Sequence, residues 1–72
     1  MSGAAIDRQR RRVAEAEARA AEALARLATP SRFAAGSFRR FAEAEDRHEA
    51  LVAAEADLMR ERAELSKLEE SE

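Results

Sequence analysis

Apolar residues recur every seven positions in two long stretches of this chain. In the first, Ile6, Val13, Ala20 and Leu27 form one line, and Gln9, Ala16 and Ala23 fill the three-residue offset. Leu24 widens that stripe near its end. In the second, Leu51, Leu58 and Leu65 form the line, with Ala54 and Glu61 on the offset. Phe41, Ala44 and His48 extend it backward and Leu68 extends it forward, while Glu55 and Arg62 intrude on its flank. A period of seven with an offset of three or four is one face of a helix. Residues 4–28 and 38–70 contain no Gly or Pro, and most of their residues are good helix formers. The pattern predicts one helix over about 4–28 and a second over about 38–70.

The punctuation lies between them. Pro30 cannot continue a helical ladder, and it pushes Thr29 out of the helical region. Thr before Pro is also a helix start signal, so a short helical turn over 30–35 is expected inside a turn of about 29–37. Gly36-Ser37 offers a second break and a second cap. The alternative is one helix from Pro30 onward that tolerates Gly36 at a cost of about 1 kcal/mol relative to Ala.

Charge gives the two helices a direction. Residues 1–28 carry +2, residues 29–42 carry +3 from Arg32, Arg39 and Arg40, and residues 43–72 carry −7. The densest basic cluster (Arg8, Arg10, Arg11, Arg12) lies at the beginning and the densest acidic cluster (Glu69, Glu70, Glu72) at the end. Basic groups at a helix N-terminus and acidic groups at a C-terminus both oppose the helix dipole. Antiparallel pairing sets the two misplaced clusters side by side. At the other end it brings Arg32, Arg39 and Arg40 near Glu43, Glu45 and Asp46. Such exposed pairs contribute only about 0–1 kcal/mol each, yet their arrangement selects an orientation. The expected fold is all-α: an antiparallel two-helix hairpin, coiled-coil-like, forming a single domain over residues 1–72.

Composition alters this picture in one respect. The chain is 46% hydrophobic, but much of that is Ala, and 39% of its residues are charged. Ala buries one methyl group and adds little transfer free energy. A chain of 72 residues buries a small share of its surface and is marginal alone. Each helix of a hairpin covers one stripe, which leaves Leu24, Val52 and Met59 on the flanks. Association into a bundle covers such flanks, most simply as a two-fold homodimer. A hairpin completed by a different protein is the next expectation.

The chemistry-bearing groups are few. Cys is absent, which removes disulfides and thiolate metal sites. No Ser/His/Asp set, phosphate loop or zinc spacing occurs, and no motif identifies a family. Two helices of this composition build no concave pocket, so neither an enzyme nor a cofactor or small-molecule site is expected. His48, flanked by Glu45 and Glu49, is expected at the seam edge beside a carboxylate rather than on a metal. No apolar run approaches the ~18 residues of a membrane span, and Met1–Asp7 lacks a signal-peptide core. The expectation is therefore a cytoplasmic protein with no membrane contact.

One stretch stands out. Residues 30–41 hold all three aromatic residues, Phe33, Phe38 and Phe41, interleaved with Arg32, Arg39 and Arg40. Aromatic and Arg side chains dominate interface hot spots, which makes Phe33, Phe38, Arg39, Arg40 and Phe41 the candidate partner-binding set. The plain reading of the same residues is an aromatic plug that seals the turn, with Arg stems packed around it. Ser37 and the amides after it form a weak candidate for an anion. The favoured function is a non-catalytic protein-interaction or structural accessory role, such as a small adaptor, inhibitor or assembly component. The alternative is a nucleic-acid-binding regulator that uses Arg8, Arg10, Arg11, Arg12 and Arg32 with Arg39 and Arg40 on phosphates. The acidity of the chain as a whole, with a net charge of −2, weighs against that alternative.

Overall fold

A computed structural model describes residues 2–71. Helix α1 spans Ser2–Ala28 and helix α2 spans Phe38–Glu70. The two pack antiparallel along their length into a rod 55 Å long and 13 × 11 Å in cross-section. The expected all-α hairpin is the fold.

The seam is built from α1. Ile6, Val13, Ala16 and Ala23 are buried, and Ala16 is fully enclosed. Leu27, which continues their line, remains partly exposed at the turn end. Small Ala knobs let the helix axes approach toward the short end of the ~8–10 Å range, so a narrow stripe suffices to exclude water. No residue of α2 is buried to that degree. Its contacting side is the half-buried set Leu51, Ala54, Leu58, Glu61, Leu65 and Leu68, which is the predicted line together with its offset.

Among the described residues Gln9 is the one buried polar residue, 4% exposed in the seam. Its amide Nε2 donates to the backbone carbonyl of Glu61 at 2.9 Å and to the Glu61 carboxylate Oε1 at 2.9 Å. A buried amide needs its partners, because an unmade hydrogen bond there costs about 1–3 kcal/mol. Sliding one helix along the other would break both bonds. Gln9 therefore fixes register in the way a single buried polar residue does in a coiled coil.

Toward the turn the seam departs from the expected line. Phe41, Ala44 and His48 are exposed, while Glu43 and Arg47 are half-buried in their place. Arg47 continues the Glu61–Ala54 line at a strict seven-residue step, whereas Phe41 and His48 drift off it. The polar residue wins because it finds partners. Its Nη1 donates to the Thr29 carbonyl at 2.7 Å, and its Nη2 lies 3.4 Å from the Glu43 carboxylate. Arg47 thus ties α2 to the carbonyl end of α1, where the dipole favours a cation. Among the described residues Arg39 shares a groove with Glu43 and Asp46, and Arg40 borders one with Glu43, but no ion pair forms between them; Arg47 pairs with Glu43 instead.

The turn itself contains no helical segment. The Thr29 hydroxyl donates back to the Ala25 carbonyl at 2.9 Å, closing α1 rather than opening a new helix. The Ser31 hydroxyl accepts the Phe33 amide at 3.1 Å, a local bond that competes with helical pairing. The Ser37 amide reaches the Ala34 carbonyl at 3.1 Å across a tight turn in which Gly36 sits at φ +79. That backbone region favours Gly and ends the possibility of a continuous helix through position 36. Ser37 then caps α2, its hydroxyl accepting the Arg40 amide at 3.1 Å.

Among the described residues the charged termini meet through a single contact. Arg10 lies 3.6 Å from Glu69 and also 3.9 Å from Asp7 on its own helix. Glu72, the last member of the acidic cluster, lies outside the described residues. Both partners of the Arg10–Glu69 pair are about half exposed, so the pair favours the orientation without supplying much stability.

Gln9→Ala is expected to lower the unfolding free energy by about 1–2 kcal/mol, read from urea titrations followed by circular dichroism. An unchanged midpoint would remove Gln9 from its place as the register lock.

Candidate functional site

The aromatic and Arg residues of 30–41 gather at the turn end, but they do not form one patch. Phe33 is half-buried beneath the turn, and the Arg32 guanidinium lies over its ring, 5.6 Å from the centroid. That geometry is a cation–π contact. Phe38, the first residue of α2, is 82% exposed, and Phe41, one turn later, is 61% exposed. The expected aromatic plug is absent, because Arg47 and Glu43 already close the turn end of the seam.

Phe33 and Phe38 line one shallow groove of about 350 Å³ with Arg39, Ala42, Asp46 and Arg47. Phe41 lines another of about 330 Å³ with Ala44, Glu45, His48 and Glu49. Arg40 borders the second side, beside Phe41 and Ser37. Of the five candidate contact residues, Phe33, Phe38 and Arg39 therefore share one surface, and Arg40 and Phe41 share the other.

Arg39 and Arg40 occupy the first turn of α2, which holds no acid. Among the described residues neither approaches a carboxylate within ion-pair distance, so both remain available to an outside anion. The Ser37 hydroxyl is engaged as the cap. His48 is exposed and lies off the packed seam, contrary to its expected place at the seam edge. Among the described residues no group of three His, Asp or Glu side chains converges as a metal site would require.

The remaining Arg residues are elsewhere. Arg8, Arg10, Arg11 and Arg12 lie near the opposite end of the 55 Å rod from Arg32, Arg39 and Arg40. The two basic groups are not one continuous phosphate track. Arg8, Arg11 and Arg12 are exposed and, among the described residues, have no carboxylate partner, whereas Arg10 is held by Glu69.

The residue that sequence reasoning missed is Arg47. Its signal was a charged group on a seven-residue line with Ala54 and Glu61, and its partner, the Thr29 carbonyl, carries no side-chain signature.

The chain matches no family model, no curated protein and no solved structure. Among the described residues no helix is long and apolar enough to cross a membrane.

Arg47→Ala is expected to destabilise the hairpin by about 1 kcal/mol, through loss of the carbonyl cap and the Glu43 pair. The check is a thermal melt of the variant beside Arg39→Ala. That control removes an unpaired, exposed cation and should shift stability by less than about 0.5 kcal/mol.

Proposed function

We propose that this protein is a non-catalytic interaction module, a small helical adaptor, inhibitor or assembly component that works as a homodimer and binds another protein through its turn end. The observation that carries the reading is Phe38. A large aromatic side chain, 82% exposed, stands at the start of a rigid helix with Arg39 beside it and the Arg32–Phe33 stack across the groove. Exposing such a ring has no folding rationale in a chain this short of large apolar residues, and aromatic–Arg combinations are what interface hot spots are made of. The groove carries Arg39 and Arg47 beside Glu43 and Asp46, so its charges balance, and the complementary partner surface is one with an apolar socket for the ring.

A second reading, nucleic-acid binding, is favoured by the exposed Arg8, Arg11 and Arg12 without carboxylate partners. Its contacts would be phosphate contacts, and its affinity would fall steeply with salt.

Cross-linking in cells of the source organism, followed by mass spectrometry, should identify a partner with the wild-type chain. Phe38→Ala should lose it while the helical circular-dichroism signal is retained. A partner held equally by Phe38→Ala removes the turn end as the contact, and salt-sensitive binding to DNA or RNA that survives Phe38→Ala but not Arg11→Ala with Arg12→Ala supports the second reading.

A further inference from the structure

The charged residues that line the Phe33–Phe38 groove form two unlike pairs. The inner two, Glu43 and Arg47, are half-buried and lie 3.4 Å apart, and Arg47 also donates to the Thr29 carbonyl. The outer two, Arg39 and Asp46, are exposed, and among the described residues neither forms an ion pair. They are seven residues apart on α2. Seven steps of about 100° fall about 20° short of two full turns, so both residues occupy one side of the helix. They stand about 10.5 Å apart along its axis, too far to pair with each other, since pairing on a helix takes a spacing of three or four residues. Ala42 lies between them and adds only a methyl group to the groove. Phe33 and Phe38 stand at the Arg39 end. What the fold leaves unmatched here is a separated positive and negative charge with an apolar bed between them.

Resting on the turn-end contact proposed above, we infer that this groove takes an amphipathic helix of the partner protein, one that carries an acidic and a basic side chain seven residues apart with an apolar side chain midway. The acidic group lies against Arg39 and the basic group against Asp46. The apolar side chain covers Ala42 and reaches the Phe33 and Phe38 rings. Charge complementarity carries the inference. A partner of one sign would match Arg39 or Asp46 and be repelled by the other, whereas an opposed doublet matches both. Spacing selects the helix. Side chains of an extended segment alternate between its two sides, so those on one side repeat at about 6.7 Å and about 13 Å. Neither interval meets the separation of about 10.5 Å between Arg39 and Asp46. On a helix, residues seven apart share a side at that same separation of about 10.5 Å, and the residue three or four along shares it too. Ala42 suits a helix in a further way, because a small residue lets two helix axes approach toward the short end of the ~8–10 Å range. Glu43 and Arg47, already joined to each other, set no unmatched charge beneath the apolar side chain. Exposed ion pairs add little affinity, so the doublet selects the partner while the two rings hold it.

The test is selection from a displayed library of helical peptides in which two positions seven apart, and the position midway, are randomised. The wild-type chain should enrich one acid and one base at the outer positions with a large apolar residue midway. The Arg39→Glu variant turns the outer pair into two acids and should enrich two bases instead. Residue 39 is exposed and unpaired, so the substitution leaves the seam intact, and circular dichroism checks that the variant remains helical. In a peptide enriched by the wild-type chain, replacing the acid with Lys should weaken binding roughly fivefold. That loss should shrink at high salt, because the charges involved are exposed. Failure to enrich any peptide, enrichment without opposed charges at the outer positions, or the same charge pattern from both proteins overturns the doublet. Phe38→Ala separates that failure from failure of the broader reading. Peptides that lack the doublet but are lost with Phe38→Ala overturn the doublet and leave the turn-end contact standing. Peptides bound equally by Phe38→Ala remove the turn-end contact itself.

Discussion

Everything in this hairpin is referred to one buried amide. The seam sets Ile6, Val13, Ala16 and Ala23 of α1 against the Leu51, Leu58, Leu65 and Leu68 line of α2, contacts that are apolar and non-directional. Gln9 adds direction. Its two bonds to Glu61 exist at a single longitudinal setting, and every other inter-helix contact inherits that setting. The meeting of Arg10 with Glu69 and of Arg47 with Thr29 are consequences at the two ends. Without a fixed register the turn residues would have no defined relation to the seam.

The fold was legible because its signals are periodic. Ile6, Val13 and Ala16 step at intervals that only a helix brings to one side, and Thr29-Pro30 and Gly36-Ser37 punctuate the chain with residues whose backbone limits are intrinsic. The short helical turn expected from Thr29-Pro30 failed for a local reason. The Thr29 hydroxyl turns back to the Ala25 carbonyl of α1 rather than capping a new turn, and the Ser31 hydroxyl captures the Phe33 amide. The seam near the turn follows only one of the two seven-residue lines. Ala44 continues the Leu58–Leu51 line yet is exposed, whereas Arg47 continues the Glu61–Ala54 line and is half-buried because it finds partners there. The bond that rewards Arg47 runs to a backbone carbonyl 18 positions away, and no residue type announces it.

The candidate site shows the same limit. The concentration of Phe and Arg between 30 and 41 is visible in the sequence, and the turn does gather them. Their division into two surfaces follows from the rotation of successive residues about α2, combined with which side the seam already occupies. That second quantity depends on the register, so it becomes known only once Gln9 has its partner. The division also separates neighbours that the bare sequence merges: Phe41 is exposed on the same side of α2 as Val52 and Met59, while Phe38 shares a groove with Phe33 at the tip of the rod.

That α2 contributes no fully buried residue has a thermodynamic corollary. The heat capacity and denaturant sensitivity of unfolding both scale with newly wetted apolar area. A lone hairpin of this build uncovers little of it, so its melting profile is broad and its stability curve shallow.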